Sequence, residues 1–303
     1  MNPIEDAVRV LHAGGVIAIP TETVYGLAAD AENDAAIARV FAIKRRPSEH
    51  PLIVHLADAE QMADWTQMAP PIAHVLAERF WPGPLTMILH RSPRVSDRVT
   101  GGQDTVAIRV PSHPIAHAIL SAFGGGLVAP SANRFGGVSP TTADHVRSDL
   151  GTDVDAVIDG GACAIGLEST IVDVTSGDPV ILRTGAITAA DLSELIGHPL
   201  RDAGASETIR APGMLASHYA PRARVEIVEA RERGDVAARY VADGATVALL
   251  DLPPEPSEAG RLLYARLRAL DASGVDIIIA TLPPLGPKTA ALRDRLSRAA
   301  APR

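Results

Sequence analysis

"DTVAIRVPSHPIAHAILSAFGGGLVAPSAN", residues 104–133, holds two short apolar runs on either side of a segment with helical spacing. "DTVAIRV" and "GLVAPSA" read as buried strands around the helix "PIAHAILSAF", which is the alternation of an α/β protein. Upstream, a helix through "IAHVLAERF", a tight "WPGP" turn and a strand "LTMILH" precede it, and "HPLIVHL" is a further strand. Asn33 or Asp34 can cap a helix with Ile37, Val40 and Phe41 on one face, and Pro47 stops it. At the start, Ile4, Ala7/Val8 and Leu11 suit a first helix ended by Gly14 and Gly15. "VIAIP" follows as a strand, with "TVYGLAAD" as its continuation or partner. Downstream, "TADHVRSDLG" and "AADLSELIG" read as helices and "DAVID", "STIVDV" and "VILRTG" as strands. Helices and strands alternate irregularly, so the expected fold is α/β with a mixed sheet.

This unit is expected over residues 1–199. Over residues 200–223 the periodicity disappears into Ala, Gly, Ser and Pro, the chemistry of a linker. Residues 224–303 carry the short strands "VEIVEA", "TVALLD" and "DIIIATL" and the helical stretch "EAGRLLYARLRAL", a small second α/β domain.

Composition narrows the function. The chain has 303 residues, 47% hydrophobic and 21% charged, as ordinary globular proteins do. No apolar run approaches the roughly 20 residues that cross a bilayer, and Glu5 and Asp6 stand where a signal peptide is basic. A cytoplasmic location with no membrane partner is expected. Cys163 is the single cysteine, which excludes an internal disulfide and a cysteine-based zinc cluster. Residues 1–200 hold 13 Arg/Lys against 23 Asp/Glu, and aromatics are 3% of the chain. Such an acidic surface disfavours tight unaided nucleic-acid binding, so an anionic ligand must meet a local basic pocket.

Several motifs could build that pocket. In "AIPTETVYGL", a strand would point Thr21 and Thr23 to one face and Glu22 to the other; the hydroxyls line a small-molecule pocket or simply fill a strand. In "IKRRPSEHPLIVH", Lys44, Arg45 and Arg46 either complement a helix C-terminus or meet phosphates. Lysine is a rare choice in a chain with 26 arginines and two lysines. "DTVAIRV" sets Thr105, Ala107 and Arg109 on one face, and an arginine in an apolar strand needs an anionic partner, structural or bound. Ser131, Asn133, Ser139, Ser169 and Arg183 recur at strand ends, where ligands of α/β sheets sit. "LGPKTA" around Lys288 is not a phosphate loop, because Pro287 removes a needed N–H. "HPIAH" lacks the glutamate of a zinc-binding helix, and no structural metal is expected.

Together "PTETVYGL", "KRRPSEHPLIVH", "WPGPLT", "DTVAIRVPSHP", "APSAN", "GLESTIVDV" and "ILRTG" resemble the YrdC-like family of L-threonylcarbamoyladenylate synthases. "APGMLASHYAP" and the small C-terminal domain are similar to that family's long, two-domain form. The resemblance implies a YrdC-like domain with a twisted mixed sheet and flanking helices, plus a small Rossmann-like C-terminal domain. It also implies a reaction. L-Threonine, bicarbonate and ATP give threonylcarbamoyl-AMP and pyrophosphate with Mg²⁺ assisting, and a downstream threonylcarbamoyl transferase modifies tRNA beside the anticodon.

By the same resemblance Thr23, His55, Arg109, the backbone at Ala129 and Ser169 would hold threonine. Arg46, His50, Thr105, Ser131, Asn133, Ser139, Arg183 and Tyr219 would hold ATP, with Lys44 and Arg46 acting on the phosphates as pyrophosphate leaves. His50 departs from the family, which often carries asparagine there. Independently of the resemblance, "APGMLASHYAP" is too polar for a core element yet carries Met214, Leu215 and Tyr219, apolar side chains that a mere spacer would not need, so the linker is expected to act as a lid over the nucleotide pocket. Two alternatives stand beside this one. A carbamoyl-transfer module would need acylphosphatase and zinc-finger segments that this chain lacks, and an RNA-binding assembly factor conflicts with the acidic first 200 residues.

Overall fold

The computed structural model describes residues 3–176, 178–202 and 217–302. Ten strands form one mixed sheet: β1 (Ile17–Ile19), β2 (Gly26–Asp30), β3 (Ile53–His55), β4 (Leu85–His90), β5 (Thr105–Arg109), β6 (Leu127–Val128), β7 (Ala156–Val157), β8 (Thr170–Asp173), β9 (Val180–Arg183) and β10 (Arg201–Asp202). Their order is β10-β9-β8-β4-β5-β3-β6-β2-β1-β7. β3 runs parallel to β5 and β4 parallel to β8, while β4–β5, β3–β6 and β1–β2 are antiparallel. β10 pairs with β9, so the sheet reaches into the stretch read as linker.

Period-two alternation sorts the strand side chains to two faces. Val54, Met87, Val106, Ile108 and Val172 enter the main core, with the helices Asp34–Lys44 and Pro71–Phe80 packed over them. Each fully buried aliphatic side chain there contributes about 1.5–3 kcal/mol. On the other face, the helices Pro3–His12 and Pro114–Phe123 cover β1, β2 and β6 through Leu11, Ile119 and Leu127. Beyond them, Ile53, Ala107, Ile171 and Leu182 form a smaller apolar floor. Register puts His55 opposite Arg109 on this second face, beside that floor.

The remaining strands, β11 (Arg224–Ile227), β12 (Val247–Leu249) and β13 (Ile277–Ala280), form a separate parallel sheet in the order β11-β13-β12. Helices Arg233–Ala242, Pro256–Ala272 and Ala290–Ala300 accompany it. Its core, built on Leu263, Tyr264, Leu267, Ile278 and Leu296, continues without a break into Val24, Val138, Leu167 and Tyr219. Close approach explains the glycines at this seam. A Cβ on Gly166, whose φ is +79°, would sit 2.6 Å from the Cα of Arg261, and one on Gly260 would sit 3.2 Å from Leu167. Arg268 adds a hydrogen bond to Asp149 at 2.9 Å. Among the described residues no helix is long and apolar enough to cross a membrane.

Candidate active site

Residues 21–25 are a turn rather than the strand their alternation suggests. The Thr21 hydroxyl donates to the Val24 carbonyl at 2.6 Å and accepts from the N–H groups of Thr23 and Val24, a local bond that competes with strand pairing. Thr21 and Thr23 hydroxyls are 2.9 Å apart. The turn brings Glu22 and Thr23 to the same place instead of opposite faces, and that place is Arg109.

Arg109 is buried on β5 and its guanidinium is held on three sides. Nη2 donates to Glu22 Oε1 at 2.6 Å, Nη1 to Thr23 Oγ1 at 2.9 Å and Nε to the Gly83 carbonyl at 3.3 Å. Gly83 is the glycine of the "WPGP" turn, so that motif supplies an acceptor. The anionic partner that an arginine in an apolar strand demands is thus Glu22. Burial opposes ionisation of Glu22, but Arg109 outweighs it and holds the carboxyl below the usual range. His55, next to Arg109, has its pKa pushed down to about 3, by burial first and by Arg109 second. Its Nδ1 lies 3.3 Å from the Ile53 carbonyl, which can only accept; the neutral ring therefore carries its proton on Nδ1 and leaves Nε2 as an acceptor.

Arg46 and Arg183 supply the rest of the positive charge. Arg46, just past the Asp34–Lys44 helix, donates to the Pro51 carbonyl at 2.9 Å, and burial lowers its pKa only to about 10, so it stays cationic. Arg183 donates to the Ser169 carbonyl and to Ser169 Oγ, both at 3.0 Å, and Ser169 Oγ also lies 2.7 Å from Thr86 Oγ1. Glu168 accepts from Ser139 at 2.6 Å on one oxygen, and from Tyr264 and Arg295 at 2.8 Å each on the other. Burial alone would raise its pKa, but Arg295 and then Arg183 bring it to about 2.

Arg46, Arg109, Glu168, Ser169 and Arg183 line a cleft open to solvent, with about 530 Å³ of space out to its mouth, together with Thr23, His55, Ala129, Ser131, His218 and Tyr219. Nine of the residues singled out in the sequence meet there. Tyr219 is held at φ +62°, a backbone region that bulky residues rarely occupy. Its buried hydroxyl, Arg46 Nε and His218 Nδ1 have no hydrogen-bond partner among the described residues. Buried polar groups are normally satisfied, so these three mark where a polar ligand would bond.

Five singled-out residues lie outside the lining. Lys44, expected on phosphates, is buried under the loop and donates to the carbonyls of Ser131 and, at 2.8 Å, Asn133. Burial, with Arg46 nearby, lowers its pKa well below the usual value. It braces the "SAN" loop from behind. Asn133 donates to the carbonyls of Arg134 and Gly137, and its Oδ1 is unpartnered. Ser139 is engaged by Glu168. His50 packs edge-on against Phe135 at 5.3 Å. Thr105 opens β5 opposite His90, four residues before Arg109. Met214 and Leu215 fall outside the described residues. Glu22, Glu168, His218, Tyr264 and Arg295 were not singled out from the sequence.

Comparison with known proteins agrees along the chain. Residues 9–185 match the Sua5/yciO/yrdC family model, described as "Telomere recombination", and residues 187–301 match "Threonylcarbamoyl-AMP synthase, C-terminal domain". The chain belongs to the threonylcarbamoyl-AMP synthase family. The Bacillus subtilis threonylcarbamoyl-AMP synthase is 40% identical over 98% of this chain and 92% of its own length. The Halorhodospira halophila protein of the same name is 39% identical over 174 residues, 57% of this chain but 91% of its own length. The crystal structure of Pyrococcus abyssi Sua5 complexed with L-threonine superposes with a TM-score of 0.95 at 38% identity, covering 98% of this chain and 94% of that one. The family thus includes relatives matched over nearly the whole of this chain and relatives matched over little more than half of it.

Chemically, the cleft offers three guanidinium groups, several hydroxyls and the two neutral imidazoles of His55 and His218. It suits two anionic groups held side by side and offers no thiol: Cys163 is buried away from the lining with its pKa raised to about 12, chiefly by burial.

Proposed function

We propose that this chain makes L-threonylcarbamoyl-AMP from L-threonine, bicarbonate and ATP, releasing pyrophosphate, in the cytoplasm and as the supplier of a threonylcarbamoyl transferase acting on tRNA. The observation that carries the reading is the full-length agreement with threonylcarbamoyl-AMP synthases, including a relative solved with L-threonine, over a cleft rich in arginine and hydroxyl groups. The threonine amine captures bicarbonate as a carbamate with loss of water. A carbamate oxygen then forms a bond to the α-phosphorus while the bond to the bridging oxygen of pyrophosphate breaks. No covalent enzyme intermediate is required, so the protein's work is to position two anions and offset their charge.

Arg109, steadied by Glu22, would take the threonine carboxylate. Thr23, the backbone of Ala129 and Ser169 would complete that end, and His55 Nε2 would accept a bond from the threonine hydroxyl or nitrogen. Arg46, Ser131, Arg183 and the unpartnered Tyr219 hydroxyl would face the triphosphate. Lys44 and Asn133 would act by shaping the loop that carries Ser131, and Ser139 through Glu168; His50 and Thr105 would border the nucleotide. Among the described residues no group of three or more His, Cys, Asp or Glu could hold a metal. Both Glu168 oxygens are already taken by Ser139, Tyr264 and Arg295. A resident metal does not fit these residues; Mg²⁺ belongs to the substrate, carried on the phosphates of ATP.

Pyrophosphate release from ATP, measured with and without threonine and bicarbonate, tests the reading. Release that depends on both is the expected result. Release independent of threonine would overturn it.

A further inference from the structure

The last helix of the chain sends one side chain into the catalytic part. Arg295 on Ala290–Ala300 is fully buried, with Nε on Glu168 Oε2 at 2.8 Å and Nη2 on the Thr184 carbonyl at 2.9 Å, and its guanidinium lies 5.1 Å from the Tyr219 ring centroid. Tyr264, on Pro256–Ala272, donates to the same Glu168 oxygen at 2.8 Å and stacks on Tyr219 at 5.7 Å. Neither lines the cleft, yet both hold residues that do: Glu168, flanked in sequence by Ser169, and Tyr219. Through Thr184, Arg295 also grips the residue after Arg183.

An ion pair merely gluing two domains together is a poor account of this arrangement. Burying a charged pair costs about as much as it returns. Adhesion is already provided by the shared apolar core around Leu167, Val138 and Leu263 and by Arg268 on Asp149. The Halorhodospira halophila synthase, matched over 174 residues and 91% of its length, is too short to include both parts of this chain. A side chain from the C-terminal part is therefore suited to placing the reacting groups rather than to the chemistry itself.

We propose that Arg295 and Tyr264 are positioning residues for the nucleotide side of the cleft, fixing Glu168 so that Ser139, Arg183 and Tyr219 keep the geometry that receives ATP. The proposal rests on the functional reading above. Removing one partner of a charged hydrogen-bonded group weakens what that group organises, so effects of several-fold are expected.

The test measures ATP and threonine affinities of the full-length chain by calorimetry at neutral pH. Tyr264→Phe should weaken ATP binding roughly five- to tenfold, with threonine binding altered by less than about twofold. Arg295→Lys should weaken ATP binding more. Ile278→Ala in the C-terminal sheet controls for structure alone: its melting temperature should fall while ATP affinity stays within about twofold. Wild-type ATP affinity in folded Tyr264→Phe would overturn the proposal, as would an equal loss in Ile278→Ala. If Arg295→Lys does not fold, Tyr264→Phe decides. A parent protein that binds ATP but shows no threonine-dependent pyrophosphate release defeats the functional reading alone, and the ATP affinities still judge this one.

Discussion

Glu22→Gln is the most informative single change, because it keeps the shape of the side chain and removes only the charge that balances Arg109. Both partners are buried and 2.6 Å apart. Taking the charge from one side of a buried pair costs about 3–5 kcal/mol. Glutamine can still accept a bond from Nη2, which favours the lower end, about 3 kcal/mol. For a chain of 303 residues that corresponds to a drop in melting temperature of about 5 °C. A ligand carboxylate would then be the best available partner for the exposed guanidinium charge, so threonine should restabilise the variant more than the parent. The pH dependence has a definite sign. Glu22 is held below its ordinary 4.5 in the folded protein, so its stabilising contribution is complete above that value and is lost as the pH falls through the folded pKa. Thermal melts at neutral pH, with and without saturating threonine, provide the assay. A variant that melts with the parent, or whose threonine-induced shift is no larger, would refute the argument that Arg109 is paired by Glu22 and shared with substrate.

Arg109→Lys keeps the charge but cannot reach Glu22, Thr23 and Gly83 at once; the apparent threonine KM should rise about tenfold, equivalent to about 1.4 kcal/mol, with a smaller effect on ATP in steady-state pyrophosphate release. Tyr219→Phe removes a buried hydroxyl that has no partner, so the melting temperature without ligand should hold or rise slightly, while the ATP KM should increase several-fold in the same assay. His55 and His218 are both held at about 3, against 6.5 for free histidine. Neutral folded rings that charge on unfolding stabilise the protein above about pH 6.5 and lose that contribution as the pH falls toward 3. Denaturant midpoints between pH 7 and 5 should therefore decline, and His218→Gln should flatten the slope by about one proton.

The alternation of short apolar runs and helical spacing made the α/β fold legible, and it made Arg109 conspicuous, because an arginine inside "TVAIRV" has to be paired. Its partner was not legible. Glu22 faces away from Thr21 and Thr23 only in a strand, and the hydroxyl of Thr21 turns the chain instead. Lys44 stood out by rarity, but its partners, the carbonyls of Ser131 and Asn133, belong to a loop far along the chain and carry no side-chain signal. Tyr219 stands out in the sequence as an apolar side chain that a mere spacer would not need, but its role toward ATP comes only through family resemblance. Arg295 left a trace that pattern reading can use: Leu292, Arg295, Leu296 and Ala299 share one buried helix stripe, so an arginine occupies a core position and must have an anion waiting. Glu168 was passed over between Leu167 and Ser169, though a carboxylate in an apolar segment poses the same question.

The two buried carboxylates of the cleft perform different tasks, and a pair of matched substitutions separates them. Glu22 bonds Arg109, which itself lines the cleft, so a substrate carboxylate can compete for the same guanidinium. Glu168 bonds Arg295, which does not line it, so no substrate can take Glu168's place. Charge removal at the first site should change how strongly ligand stabilises the protein; at the second it should change the shape of the cleft whatever is bound. Glu168→Gln keeps an acceptor for Tyr264 but removes one of the carboxylates that balance Arg295, which keeps Asp294, and its guanidinium lies beside the Tyr219 ring. The expected outcome is a lower melting temperature that ATP and threonine fail to restore, together with an ATP affinity reduced about as far as in Tyr264→Phe. The double variant Glu168→Gln/Tyr264→Phe should be little worse than Glu168→Gln alone, since the two changes break one linkage. Additive losses of ATP affinity in the double variant would mean that Tyr264 acts on the nucleotide by a route that bypasses Glu168.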